Sequence, residues 1–307
     1  MTTRLLRLLT SVAALLLFAL PAHAQVAEVD IITPHITDAH EIEIPWPTWP
    51  TLHKVVHLPR WTPFMLPGTN IEVDMSPTKH VVWMLISALT VLALLIFAAN
   101  AQGRQTRTAG HAKGFAGGIE AMVLYIRNEV IIPNVGHHGN GFVPFLLTLF
   151  FFILFCNLWG IFPWGSTATG NIAVTATLAI LTFFVVEIAG MRAQGIGYLG
   201  TIFYWNKDLS IVLRVLLFLI LSPIEFIGKL TKPFALTIRL FANMTAGHIV
   251  VLALIGMIFS FKSIASGAPF LMAVAINMLE LFVAFLQAFI FTLLSSVFIG
   301  QIREAHH

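Results

Sequence analysis

The stretch 233-PFALTIRLFANMTAGHIVVLALIGMIFS-260 decides how this chain folds. It is apolar almost throughout and carries one residue with a fixed charge, Arg239. As a helix its 28 residues would run roughly 42 Å, against about 30 Å of bilayer hydrocarbon. Residues 269–302 form a second such run of 34 residues, roughly 51 Å of helix. The short Gly-containing link at 262–268 makes the two an antiparallel hairpin. Neither helix fits upright, so both must tilt steeply or protrude. The apolar pattern also extends upstream to Ile211, interrupted by Arg214, Glu225, Lys229 and Lys232. Pro223 and Pro233 are expected to kink or punctuate that part.

Working outward, residues 81–99, 143–164 and 172–191 give apolar runs of 19, 22 and 20 residues. About 20 suffice to cross a bilayer. Residues 117–135 are apolar but broken by Glu120, Arg127 and Glu129, the pattern of an interfacial amphipathic helix. The expected fold is an all-α membrane protein: about five membrane-embedded helices plus an interfacial amphipathic helix, with the last two helices a long, steeply tilted hairpin. Composition agrees. The chain is 58% hydrophobic and 10% charged, with a mean hydropathy of +0.88. Soluble domains carry about 25% charged residues. A net charge of +3 is small, and the aromatics, mostly Phe inside apolar runs, are not interleaved with Lys and Arg, which argues against a nucleic-acid groove. Cys156, the one cysteine, lies in a Phe/Leu run and reads as a packing residue.

Arg4 and Arg7, the apolar run 12–20 and Ala22-His23-Ala24 form the basic, apolar and A-x-A parts of a secretory signal peptide, residues 1–24. An uncleaved anchor helix is the alternative. Residues 25–79 are polar and rich in Pro and Trp, an external segment whose proline spacing opposes long helices. Its His35, His40, His53 and His57 match no standard metal spacing, and no metal or cofactor is expected. The membrane domain is then 80–307. Arg104, Arg107 and Lys113 follow the first span, and Arg192 and Lys207 follow the third, whereas 165–171 holds no Lys or Arg. Basic loops face the cytoplasm. The mature N-terminus is therefore outside and the C-terminus, with Arg303, cytoplasmic.

Polar groups inside a bilayer need a partner or water. Arg239 stays charged at any ordinary pH. It suits a carboxylate on another protein, or else a structural ion pair with Glu280 or Glu225. At 100° per residue, Asn243 shares the face of Arg239. Glu225, Lys232 and Arg239 form a stripe if the helix is continuous. His248 lies 180° away from Arg239. Glu280 and Gln287, seven apart, share one face of the last helix. Across the hairpin His248 and Glu280 can meet, as a proton relay or as a structural hydrogen bond. Glu187 reads as a helix-end residue near water, and Glu225 with Lys229 as a local i, i+4 pair.

The run Lys232-Pro-Phe-Ala-Leu-Thr-Ile-Arg-Leu-Phe-Ala-Asn-Met-Thr-Ala-Gly-His248 closely resembles the signature of subunit a of F-type ATP synthases. Leu279-Glu-Leu-Phe-Val-Ala-Phe-Leu-Gln-Ala-Phe-Ile-Phe291 resembles its companion in the last helix. The resemblance implies a proton-translocating, non-catalytic subunit of the bacterial inner membrane. Its partners would be the c-subunit ring, the b-subunit peripheral stalk, the rest of the complex, lipid and protons. Arg239 matches the essential arginine facing the ring carboxylate between two aqueous half-channels. Asn243 and Gln287 match polar residues near it, Glu225 a carboxylate of the cytoplasmic half-channel, and His248 with Glu280 a pair in the outer one. Acid and histidine are exchanged relative to some members. Some bacterial members carry an Asp where Asn171 stands. No Walker-type phosphate loop is present, and no pair of similar halves suggests a secondary transporter. A structural scaffold remains as the other alternative.

Overall fold

The computed structural model describes residues 36–45, 53–65, 67–68, 72–109, 114–136, 139–162, 165–198, 200, 203, 210–261 and 266–304. The expected signal peptide at 1–24 and most of the hairpin link lie outside them. Before the first span, β1 (Glu41–Pro45) pairs antiparallel with β2 (His53–His57), and β3 (Phe64–Met65) with β4 (Glu72–Val73). Among the described residues these two small sheets hold all the strands. Proline-rich sequence between short apolar pairs supports such edges and no helix. His57 Nδ1 lies 3.2 Å from Glu41 Oε1 across the first hairpin.

Among the described residues seven α-helices follow: α1 (Lys79–Ala109), α2 (Gly114–Tyr125), α3 (Ile132–Val135), α4 (Val143–Ile161), α5 (Ile172–Gln194), α6 (Ile211–Phe261) and α7 (Gly267–Glu304). A π-helical stretch, Ile126–Ile131, joins α2 to α3. Among the described residues five helices are long and apolar enough to cross a membrane, namely α1, α4, α5, α6 and α7. The α2–α3 unit occupies the place of the expected amphipathic helix, with Ile126, Val130, Ile131 and Val135 buried and Phe115, Leu124 and Tyr125 exposed.

Several expected boundaries move; α1 runs on to Ala109 and α5 to Gln194. The second span was expected to reach residue 164; α4 ends at Ile161, and Phe162 is extended. Phe162 precedes Pro163, whose ring disfavours the helical conformation in the residue before it. Pro223 and Pro233 do not punctuate α6, which is continuous over 51 residues. That length is roughly 76 Å, so α6 must run aslant or leave the bilayer. Within it the Thr237 hydroxyl donates to the Pro233 carbonyl at 2.9 Å, and Ser87, Thr182, Ser295 and Ser296 likewise donate to carbonyls on their own helices. Such back-bonding satisfies polar groups where water is scarce.

At the centre of the bundle is α4, packed against α1 and α7. Leu146, Phe150, Phe151 and Ile153 of α4 join Ile126, Ile131, Leu240, Met244, Ala288, Phe291 and Ile299 in one core. By contrast, only 6% of the most apolar window of α6 is buried. Gly300 of α7 passes so close to α3 that a methyl group there would collide with the Asn134 carbonyl. Gly300→Ala should therefore sharply lower the amount of assembled protein in membranes. Gly256→Ala, with open space around it, should be neutral or gain up to about 1 kcal/mol in helix stability. Immunoblotting of membrane fractions checks both.

Candidate polar clefts and the exposed arginine

In α6 the residues Leu236, Leu240 and Met244 recur at i, i+4 and i+8 and are 2%, 0% and 0% exposed. They fix which side of the helix meets the bundle. The remaining side presents Ala235, Arg239, Ala242, Asn243 and Ala246, all exposed. Four small or polar neighbours thus flank Arg239, within about 60° of it around the helix.

The hairpin is antiparallel, and its polar pairs fall in register. His248 Nδ1 lies 4.0 Å from Glu280 Oε1. Asn243 Nδ2 donates to Gln287 Oε1 at 3.2 Å. Nearer the other end Lys232 Nζ sits 4.8 Å above the Phe298 ring. Glu280 and Gln287 are buried at 5% and 2% exposure, and Gly247 leaves room for the Glu280 carboxylate. The six sequence-predicted residues thus lie along one hairpin: four in two cross-helix contacts, with Arg239 and Glu225 exposed on α6. Arg239 is not placed against Glu280, which faces His248.

Two clefts adjoin the buried layer. The first is lined by Glu187, Glu225, Lys229, Lys232, Leu236 and Gln301, among others. Here the expected Glu225–Lys229 pair is corrected. Lys229 points into the bundle and lies 3.5 Å from Glu187, while Glu225 on the neighbouring turn is exposed. Glu187 is likewise no helix-end residue in water: its side chain is 16% exposed. The turn Gly195–Tyr198 folds Tyr198 back, so that its hydroxyl donates to Glu187 and accepts from Lys229. Burial, then the Glu187 carboxylate, raise the Tyr198 phenol above its usual range, so it remains a donor. Lys229→Met would strand a half-buried carboxylate and cost roughly 3–5 kcal/mol. We expect little assembled protein from it, and recovery in Glu187→Gln/Lys229→Met. The membrane yield of single and double variants measures this.

The second cleft is lined by His80, Ser166, Thr167, Met244, Thr245 and His248, among others. Asn171 caps α5, accepting from the Ala173 amide at 2.8 Å. Between α4 and α7, buried Asn157 donates to the Ala284 carbonyl at 3.2 Å and accepts from Thr169 at 2.5 Å. Sequence reasoning passed over Asn157, although an amide alone in a Phe/Leu run was the available signal. It also passed over Tyr198, whose partners are distant in sequence. Among the described residues, no three His, Cys, Asp or Glu side chains cluster as metal ligands.

Comparison with known proteins adds the following. The sequence model of the ATP synthase A chain family matches residues 81–300. The chain is similar to ATP synthase subunit a of Chloroherpeton thalassium, 46% identical over 272 residues, covering 87% of this chain and 74% of that one. It is similar to ATP synthase subunit a 2 of Chlorobium luteolum, 43% identical over 311 residues, covering 94% and 83%. A third relative is ATP synthase subunit a 2 of Chlorobaculum tepidum, 48% identical over 259 residues, covering 82% and 68%.

Proposed function

The chain belongs to the ATP synthase A chain family, and from that membership we propose that it conducts protons past a rotating ring of c subunits. The observation that carries this reading is the buried apolar layer of Leu236, Leu240 and Met244. It spans about 12 Å along α6, with a cleft that includes charged or polar side chains on either side and Arg239 exposed at the same depth. A continuous pore would leak. Two blind paths force a proton to leave one cleft, travel on another body, and enter the second.

In this reading protons come from outside by way of His248 and Glu280 and protonate a ring carboxylate. The neutral carboxyl passes through lipid at low cost, where the ionised form would not. After nearly a full turn it releases its proton into the cleft of Glu225, on the cytoplasmic side. Arg239 favours the ionised carboxylate as it passes. Asn243 and Gln287 line the approach. The small side chains Ala235, Ala242 and Ala246 let a neighbouring helix come close to α6. The chain carries no ATP chemistry itself. Its remaining partners are the b-subunit stalk and the rest of the complex. The membrane is the bacterial inner membrane, with the signal peptide 1–24 removed and 25–79 outside.

Thiol cross-linking tests which face meets the ring. The native Cys156 is buried and does not compete. Ala235→Cys and Ala246→Cys should each form a disulfide with a cysteine placed at the matching depth on the ring helix that carries the carboxylate. Phe234→Cys, exposed but about 140° away from Arg239 around α6, should not. Cross-linking of Phe234→Cys alone would refute this orientation of α6.

A further inference from the structure

The segment before the first span is held against the second cleft by one carboxylate. Asp38 Oδ1 lies 2.7 Å from His80 Nδ1 and accepts from the His80 amide at 3.4 Å. Its other oxygen, Oδ2, accepts from Asn171 Nδ2 at 3.3 Å. Asp38 therefore ties together the N-terminal segment, the start of α1 and the start of α5. The register is fixed on both sides by the Lys79 amide donating to the Ala39 carbonyl at 2.8 Å and by His40 Nδ1 lying 3.1 Å from the Pro77 carbonyl.

The pair spans a boundary. The Asp38 side chain is 33% exposed, whereas that of His80 is 4% exposed and lines the same cleft as His248. Ser166 and Thr167 line that cleft as well. Their buried hydroxyl oxygens have no hydrogen-bond partner among the described residues, and neither has Glu280 Oε1. Buried hydroxyls in that condition are the sites that ordered water serves.

We infer that Asp38 and His80 form the outer port of the proton path, passing protons from external water through the Ser166/Thr167 cleft to His248. This rests on the reading of the His248 side as the outer path. A hydronium O–H bond breaks as an N–H bond forms at His80 Nε2, leaving water outside. The imidazolium so formed is balanced by the Asp38 carboxylate at Nδ1. The Nε2 proton then leaves to a water in the cleft and passes on to His248, and His80 returns to neutral. Asp38 is thus a positioning residue, and His80 the carrier. Burial alone would raise the Asp38 carboxyl, but the His80 hydrogen bond and charge outweigh it and hold the carboxyl below its usual range, so it stays an anion.

The test is passive proton flux through the purified complex in liposomes under an imposed pH gradient, normalised to assembled complex. Asp38→Asn and His80→Gln should each lower flux about tenfold or more. His80→Gln keeps a donor towards Asp38 but cannot carry a proton. Asp38→Glu, which keeps a carboxylate facing His80, should retain most of the flux. Wild-type flux in both Asp38→Asn and His80→Gln, with Glu280→Gln blocked, would overturn the port and leave the wider path standing. Wild-type flux in Glu280→Gln as well would overturn both. Should Asp38→Asn fail to assemble, His80→Gln and Asp38→Glu decide in the same way.

Discussion

Arg239→Ala is expected to abolish ATP-driven proton pumping in inverted membrane vesicles while leaving the complex assembled. The side chain is exposed on α6, outside the buried core, so its loss opens no cavity. What disappears is the one fixed charge between Lys232 and Phe261. An ionised ring carboxylate reaching that depth would then lie unpaired in a low-dielectric setting. Acidic residues at mid-membrane cost about 2.5–3.5 kcal/mol on insertion scales. At 1.36 kcal/mol per tenfold, proton release should slow by roughly 100-fold or more. Assembly is read by co-purification of the other subunits and pumping by quenching of a pH-sensitive dye. Full pumping by the assembled variant would remove Arg239 from the mechanism.

Glu280→Gln should be nearly as severe. Glu280 is 5% exposed and meets His248 across the hairpin, so the amide fits the same space without taking or giving a proton. Positioned proton-transfer groups contribute about 10²–10⁴-fold, and a loss at the lower end of that range is expected in pumping and in passive flux. The exchange His248→Glu/Glu280→His keeps both groups in contact and should recover a substantial part of both activities. A purely structural hydrogen bond would instead let Gln serve as well as Glu. The single variant and the exchange, measured together, separate relay from scaffold.

Much of this hairpin could be read before any coordinates. Helical spacing put Asn243 beside Arg239 and His248 opposite it, and the hairpin topology put His248 within reach of Glu280. Those inferences need only a period and a short link. Pro233 misled because proline's local cost was weighed alone. In α6 the helix continues through both prolines, with the Thr237 hydroxyl donating to the carbonyl of Pro233 itself. The Lys229 pair misled for a related reason. An i, i+4 rule sees one helix, while Glu187 and Tyr198 arrive from α5 and the turn after it. Asp38 was illegible in the same sense, since its contact with Asn171 joins residues 133 positions apart. Contacts within one helix or one hairpin follow from spacing; those between distant segments wait for packing.

The central claim is that no proton crosses this chain without a turning ring. Passive proton flux through the assembled complex in sealed liposomes, with the ring locked to Ala235→Cys by a reversible disulfide, measures it directly. The account predicts flux at the level of empty liposomes while the disulfide is formed, and recovery on reduction. Flux that persists through the locked complex would mean a continuous path past Leu236, Leu240 and Met244, and would contradict the account.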